Sequence, residues 1–261
     1  MKKYLVRLSP IALALALPAC EQPAMQCVVA RRTFIAQYEL VEGSGTCAKL
    51  VGEEIGLATF LQPGADGSSA DYDRRVISVQ SETLGGLAKR GEKYDVADAE
   101  HAPYALGHYT NEPDDGNLCH AGTSDEPLAV AEQSIPEVKT EDDEGNPVTY
   151  PASHVRQTWS DLSVYVTAGA PGTQLVGRMT YEDLLERCKA TYDVVALAPA
   201  VQCEGVDAEG NRTGKPDDKL CDPSGDPVAG RMGSGINPDF KTRCDPELLY
   251  CVLAEPPLAK P

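Results

Sequence analysis

The sequence predicts an all-β fold: a disulfide-stapled antiparallel β-sandwich followed by a long irregular C-terminal segment. Short runs of alternating apolar and polar residues recur along the chain and are separated by turn residues. Glycine and proline are abundant, at 23 and 20 of 261 residues, which suits many short strands joined by turns. Nine cysteines are present, and eight of them follow Cys20, an even number that can pair.

The first hairpin is predicted near the start of this body. Residues 33–40 alternate with period two, which indicates a strand with one mostly apolar face. Gly43–Gly45 then predicts a turn, and a return strand begins at Cys47. We therefore expect a Cys27–Cys47 disulfide across the hairpin, which would stabilise the fold by about 3 kcal/mol in the chain-entropy model.

The clearest hairpin is predicted later in the chain. Residues 159–167 and 173–181 each place apolar side chains on one face, and Ala170–Thr173 forms the turn between them. Trp159, the only tryptophan, is a candidate core anchor. Further strands are predicted at residues 75–80, 101–109 and 190–196.

Three other segments are predicted as turns or leave alternatives open. Glu141–Pro147 carries a strong turn signal, since glycine and asparagine tolerate positive φ. Residues 85–98 fit a brief helix or a surface loop equally well. Residues 181–189 fit either one helical turn or a long hairpin loop.

The chain changes character after Cys203. Residues 27–203 are predicted to form the β-sandwich domain. Residues 204–261 are predicted to form a cysteine-stapled, loop-rich segment, because Glu204–Asp226 is polar and rich in Asp, Gly and Pro.

The first twenty residues have the pattern of an export signal. Lys2, Lys3 and Arg7 precede an apolar run over residues 8–17. This run is too short to span a bilayer, which takes roughly 20 apolar residues. We therefore predict that residues 1–19 are a signal peptide and that residues 20–26 are a short tether.

The end of this segment resembles the signal peptide of a bacterial lipoprotein. Leu17, Pro18, Ala19 and Cys20 match a lipobox, although Pro18 departs from the commoner small residue. The resemblance implies lipidation of Cys20, with a diacylglyceryl group on its thiol and an acyl chain such as palmitate on its amine. Several chains on one residue would give stable anchoring. It implies a cell-envelope, periplasm-facing protein with a membrane as partner, and we favour the outer over the inner membrane.

The charge of the chain excludes one class of partner. The formal net charge is −17, and a signal peptide would carry away three of the positive charges. Such an acidic body is repelled by nucleic acid and by anionic head groups. A nucleic-acid partner is therefore not expected, whereas an envelope protein partner fits.

The eight cysteines after Cys20 are predicted to form up to four disulfides, because an exported body meets an oxidising environment. Their spacing contains no CxxC pair, which argues against a zinc cluster. Eight cysteines allow 105 pairings, so the connectivity is not readable from the sequence. The candidates are Cys27, Cys47, Cys119, Cys188, Cys203, Cys221, Cys244 and Cys251.

The sequence predicts no metal site and no cofactor. The four histidines have no spacing that forces them to converge on a metal, so surface or hydrogen-bonded roles are favoured; they are His101, His108, His120 and His154. Calcium is the alternative with most support, because carboxylates crowd three loops. Aspartate is equally what turns require. These carboxylates are Asp114, Asp115, Asp142, Asp143, Asp207, Asp217, Asp218, Asp222 and Asp226.

No catalytic residue is predicted. Gly43–Gly45 and Gly233–Gly235 are both GSG rather than a GxSxG elbow, and no phosphate-binding loop is present. We expect a membrane-anchored, non-enzymatic structural or binding subunit. The alternative is a cell-surface glycan-binding domain or a secreted-type hydrolase. A catalytic carboxylate pair would not stand out in the sequence among 40 acidic residues.

The chain as a whole is similar to cell-envelope lipoproteins of gliding soil bacteria such as myxobacteria. The likeness rests on the lipobox, the cysteine-stapled strands, the acidic body and the CDPELLYC motif at Cys244–Cys251. It implies an address rather than an activity, and Cys20 is the one functional residue that it assigns.

Overall fold

A computed structural model describes residues 25–255 and residue 257. The predicted signal peptide, Cys20 and most of the predicted tether lie outside the described residues.

Most of the regular structure in the described chain consists of antiparallel strands. The strands are β1 (Thr33–Gly43), β2 (Gly52–Pro63), β3 (Ala70–Ser81), β4 (Ala105–Tyr109), β5 (Leu118–Ala121), β6 (Ala131–Ile135), β7 (Val138–Glu141), β8 (Pro147–Tyr150), β9 (Ser153–Val166), β10 (Pro171–Asp183), β11 (Cys188–Leu197), β12 (Glu204–Val206), β13 (Arg212–Pro216), β14 (Thr242–Cys244) and β15 (Cys251–Leu253). One α-helix, α1 (Glu82–Lys93), and two 3-10 turns, Thr46–Lys49 and Asp218–Cys221, complete the regular structure.

The main sheet closes on itself. Its strand order is β10-β11-β1-β2-β3-β4-β5-β9-β6, and β10 also pairs with β9. Eight strands therefore form a continuous ring, and β6 branches from β9. The all-β class, the antiparallel pairing and the disulfide stapling are confirmed. The walls that face each other across the core belong to a single continuous sheet.

The core lies inside this ring because the strands alternate as their sequences predict. On β9, Trp159, Leu162, Val164 and Val166 are all buried, and Trp159 is completely enclosed. The predicted hairpin of β9 and β10 is confirmed by pairing along both strands with two register shifts, for example Trp159 with Met179. The same alternation buries one face of β1 against the same cluster.

One joint of the ring is narrow. Strands β4 and β5 share a single residue pair, Tyr109 with Ala121. The chain at Leu128–Ala129 bridges the adjacent gap: the Leu128 N–H donates to the Trp159 carbonyl at 2.9 Å, and the Ala129 N–H donates to the Leu106 carbonyl at 2.8 Å. This crossing keeps the backbone groups of the joint satisfied.

Residues 85–98, which fit either a helix or a surface loop by sequence, belong to helix α1 as far as Lys93. Ser81 caps it, because its Oγ accepts the Leu84 N–H at 3.2 Å. Glu53 of β2 accepts the Thr83 N–H at 2.7 Å and so places a carboxylate at the positive end of the helix. The buried face of the helix, with Leu84 and Leu87, packs into the main core.

Residues 181–189, which fit either a helical turn or a hairpin loop by sequence, form a hairpin. Residues 181–189 run from the end of β10 through a tight turn into β11, and Asp183 pairs with Cys188. The predicted turn at Glu141–Pro147 also forms a hairpin, between β7 and β8. Of the predicted strand at 101–109, only Ala105–Tyr109 is extended.

The expected Cys27–Cys47 disulfide is wrong. Cys27 pairs with Cys119, and Cys47 pairs with Cys188, with Cα atoms 5.7 Å apart in each pair. The reason is the length of β1, whose eleven residues span roughly 36 Å at the usual strand rise. Cys27 lies before β1 and Cys47 after it, so the strand holds them far beyond disulfide reach.

The C-terminal segment packs on the body through a second, smaller cluster of buried residues, to which Ala170 and Leu197 of the body also belong. Cys203–Cys244 and Cys221–Cys251 close this segment, and Ile236 and Phe240 pack with them. The sulfurs of Cys203, Cys221 and Cys251 lie within 4.8 Å of one another. All three cysteines are disulfide-bonded, so their sulfurs are close because the Cys203–Cys244 and Cys221–Cys251 disulfides lie next to each other.

Digestion of the mature protein under non-reducing conditions tests this connectivity. Mass spectrometry should recover peptides linked as 27–119, 47–188, 203–244 and 221–251, because each pair has Cα atoms at disulfide distance. A digest after reduction is the control. Recovery of a Cys27–Cys47 peptide would contradict the strand arrangement.

Candidate functional site

An open groove lies on the outer face of β2, β3 and β4, and we call it the outer-face groove. Its volume is about 670 Å³. The lining residues are Gly56, Leu57, Ala58, Phe60, Leu61, Gln62, Pro63, Val76, Ser78, Gln80, Tyr104 and Leu106.

The pleat of the three strands explains why these residues share a face. Phe60 of β2 lies opposite Val76 of β3, and Leu106 of β4 lies opposite Ser78 of β3. Since successive side chains point to opposite faces, these residues point outward while their neighbours enter the core. Ile77, for example, is completely buried.

The groove exposes large apolar side chains to solvent. Phe60 is 48% exposed, Tyr104 is 43% exposed and Leu106 is 38% exposed. None of the twelve lining residues is charged, although 24% of the whole chain is. An exposed, contiguous apolar patch of this kind is a candidate surface for binding an apolar group.

The sequence reasoning missed this groove. Leu57–Leu61 reads LATFL, an apolar run in which both strand faces are apolar. Such a run departs from the alternation of a strand with one solvated face. That departure was the available signal, but the partner residues Val76 and Leu106 come from two other strands.

A second candidate site, which is polar, lies beside β6. We call it the carboxylate–histidine network. Asp98 and Glu132 are its buried acids, with 6% and 8% of their side chains exposed. His101 joins them: its Nδ1 lies 2.9 Å from Asp98 Oδ2, and its Nε2 lies 3.7 Å from Glu132 Oε1. His154 Nε2 lies 2.7 Å from Glu132 Oε1, and Arg156 Nε donates to Glu132 Oε2 at 2.8 Å.

The network shifts the pKa values of its members. Burial alone would raise the pKa of Asp98, but the hydrogen bonds from His101 and from the Ser134 N–H outweigh it and lower that pKa. Burial also acts to raise the pKa of Glu132, but the hydrogen bonds from Arg156 and His154 outweigh it and lower that pKa. The hydrogen bond to Asp98 raises the pKa of His101. Both carboxylates are held as paired anions.

The structure separates the four histidines. His101 and His154 meet at the carboxylate–histidine network, with ring centroids 6.5 Å apart. His120 lies elsewhere, where its ring nitrogens contact Ser163 and Asp114. His108 and His120 line a small pocket near β4 and β5. Three of the four histidines are therefore hydrogen-bonded, and His108 is exposed.

Three of the aspartates considered for calcium lie in separate turns, and each binds the backbone of its own turn. Asp142 Oδ1 accepts the Glu144 and Asn146 N–H groups, and Asp207 Oδ1 accepts the Glu209 and Asn211 N–H groups. Asp114 does the same for Gly116 and Leu118. The turn interpretation accounts for the positions of these three carboxylates.

Comparison with known proteins identifies the family. The family model for MlpA matches residues 32–199, more than half of the chain. The chain belongs to the MlpA family. It is 25% identical over 248 residues to a Myxococcus xanthus protein named "Putative lipoprotein MlpA", with 90% of this chain and 87% of that protein covered. No solved structure matches the chain.

The match places the chain among the myxobacterial-type lipoproteins, as its resemblance implies. The matched residues of the MlpA family span β1 to β11, and therefore include the closed sheet, the outer-face groove and the carboxylate–histidine network. In the part of the chain that is described, no helix is long and apolar enough to cross a bilayer.

The carboxylate–histidine network predicts a pH dependence of stability. His101 has a raised pKa, so its contribution is present below the unfolded value of about 6.5 and is lost as pH rises through the folded value. Asp98 and Glu132 have lowered pKa values, so their contribution is lost only as pH falls through those values. We expect His101→Gln to lower Tm more at about pH 6 than at about pH 9.

Thermal unfolding of both chains at the two pH values measures this difference. His108→Gln, which changes an exposed histidine of β4, is the matched control. An equal loss of Tm at both pH values would show that the His101 charge contributes nothing.

Proposed function

We propose that this MlpA-family lipoprotein is held at the outer membrane by lipid on Cys20, and that its β body is a non-enzymatic binding subunit. The lipobox at Leu17–Cys20 supports the anchor, since it ends an export-type segment of the right length. The family match over residues 32–199 supports the cell-envelope address.

The outer-face groove is the observation that carries the binding role. It offers exposed aromatic and aliphatic side chains without a charged lining residue. Apolar surface removed from water contributes about 25 cal/mol per Å², so covering Phe60, Tyr104 and Leu106 favours association. We propose that the groove is the working surface of the body.

Hydrolysis, one part of the alternative, would need a pair of carboxylates beside the aromatic rings. Here the polar side chains of the groove are Gln62, Ser78, Gln80 and the Tyr104 hydroxyl, and none of them is a carboxylate. The two buried acids, Asp98 and Glu132, are held by His101, His154 and Arg156. This arrangement supports binding over catalysis.

Removal of the acceptor thiol tests the anchor. The mature chain carrying Cys20→Ser, exported behind a leader that is cleaved without lipid attachment, should move from the membrane to the soluble fraction, because several acyl chains are what hold it. The control is the unaltered chain with its own leader. Its N-terminal peptide should carry acyl groups by mass spectrometry, and density separation of the two membranes should place it in the outer one.

Two results would contradict the proposal. One is continued membrane fractionation of the Cys20→Ser chain, and the other is an N-terminal peptide without acyl groups in the unaltered chain. Recovery of the unaltered chain with the inner membrane would contradict the location alone.

A further inference from the structure

We propose that one end of the closed ring, the end crossed by residues 27–32, lies against the surface of the membrane that holds Cys20. We call residues 27–32 the N-terminal strap and this end of the ring the strap end. The inference rests on the proposed function, because it requires the lipid anchor. It goes further by assigning the surface of the body that contacts the lipid head groups.

The N-terminal strap crosses the mouth of the ring from one wall to another. The Cys27 N–H donates to the Asn111 carbonyl, just after β4, at 2.8 Å. The Ala30 N–H donates to the Gly172 carbonyl, at the start of β10, at 2.9 Å. A Cβ atom at Gly172 would lie 2.1 Å from the Val28 carbonyl oxygen, so the strap packs closely against β10.

A disulfide fixes the strap in this place. Cys27 is completely buried and is bonded to Cys119 of β5. Arg75 of β3 binds the same segment, because its Nη2 donates to the Gln26 side-chain oxygen and its Nη1 donates to the Cys27 carbonyl at 3.3 Å. Gln26 itself is exposed. The chain that leads back to Cys20 therefore leaves the body at the strap end.

The tether is too short to let the opposite end of the ring, which we call the far end, face the membrane. Six residue steps from Gln26 to Cys20 span at most about 20 Å. Strand β10 runs from Pro171 at the strap end to Asp183 at the far end. That is about 40 Å along the strand, or about 30 Å of height at the usual tilt of barrel strands. The strap end is therefore the end that the anchor can hold at the bilayer.

The strap end carries free guanidinium groups. Arg31, Arg32 and Arg74 are exposed, and none of them forms an ion pair with another described residue. Arg74 lies past the end of β4, because its neighbour Arg75 already pairs with Tyr109, the last residue of that strand. Arginine binds phosphate through paired hydrogen bonds. The acidic β4–β5 loop lies at the same end, so the surface suits zwitterionic head groups, which carry a phosphate and an ammonium group.

An exposed aromatic ring lies among these arginines. Tyr72 of β3 is 69% exposed. Residues 72–74 form a bulge, because β2 passes from its pair with Arg75 to its pair with Asp71 in one residue step. Bulges redirect side chains away from the regular face of a strand. Tyrosine is enriched where proteins meet lipid head groups, so this ring suits contact with the bilayer surface.

A loop of the C-terminal segment adds an apolar side chain at the strap end. Met232 is 89% exposed. Three residues later, Gly235 lines a pocket together with Arg32 of the strap, so Met232 lies within about 11 Å of that pocket. Asn237 holds the loop there, because its Nδ2 donates to the Gly169 carbonyl in the β9–β10 turn at 2.7 Å. Burial of Met232 among lipid would remove apolar surface from water.

Photo-cross-linking in native membranes tests this contact. A benzophenone amino acid replaces Tyr72 in one chain and Met232 in a second. In a third chain it replaces Leu185, an exposed residue of the β10–β11 turn at the far end, as the matched control. We expect mass spectrometry to find phospholipid adducts at positions 72 and 232 and none above background at position 185, which lies about 40 Å along β10 from the strap end.

Each other result contradicts the proposal in a recognisable way. Phospholipid adducts at position 185 would show that the far end meets the membrane. Protein adducts without lipid at positions 72 and 232 would show that a partner covers the strap end, and no adduct at either position would show that the body stands clear of the bilayer. If the N-terminal peptide carries no acyl group, the anchor itself fails; an acylated peptide without lipid adducts refutes the orientation alone.

The length of the tether gives an independent measurement that leaves the body unchanged. Six residues separate Cys20 from Cys27, and inserting about eighteen Gly and Ser residues between Ala24 and Met25 makes this linker fourfold longer. The phospholipid adducts at position 72 should then fall about eightfold, because effective concentration declines as roughly the −3/2 power of linker length. Acylation of the N-terminal peptide is the control. An undiminished yield with the long tether would contradict the proposal.

Discussion

The pairing of β9 with β10 is the constraint on which the rest of the structure depends. Strand β10 also pairs with β11, so this contact converts a row of strands into a closed ring. The ring encloses Trp159, Leu175 and Met179 completely. It also pairs β10 on both sides, which removes an edge at which an unpaired strand would otherwise join another chain.

The closure determines where function can reside. The inner face of the ring is filled by a continuous core, so a ligand has to be bound on the outside or at an end. One end is occupied by α1, which packs against β6 and β2. On the outside, the face of β2–β4 exposes Phe60 and Leu106. The Cys27–Cys119 disulfide is buried in the core, so the start of the described chain is held on the core side of the sheet.

Strand positions were predictable because they depend on local alternation. The β9–β10 hairpin and the burial of Trp159 follow from period-two patterns that neighbouring residues carry. The disulfide connectivity was not predictable in this way. Cys27 and Cys47 are near in sequence but lie at opposite ends of β1, and their partners, Cys119 and Cys188, are set by which strand ends meet.

The candidate sites show the same division. The four lipobox residues are consecutive in the chain, so the sequence alone indicates Cys20. The outer-face groove combines Phe60, Val76 and Leu106 from three strands, and the carboxylate–histidine network joins Asp98 to Glu132 through His101. Both need the strand register, which a single sequence does not contain. The one signal in the sequence was the apolar run at Leu57–Leu61, which indicates a strand that is apolar on both faces.

Residue-resolved hydrogen exchange of β10 tests the closed ring most directly. In an antiparallel sheet, successive amides of a strand point to alternate neighbours. Since residues 174–182 pair with both β9 and β11, the account predicts that amides on both sides of β10 exchange only through global unfolding. Rapid exchange of every second amide along β10, with its alternates protected, would mark an open edge and contradict the closure.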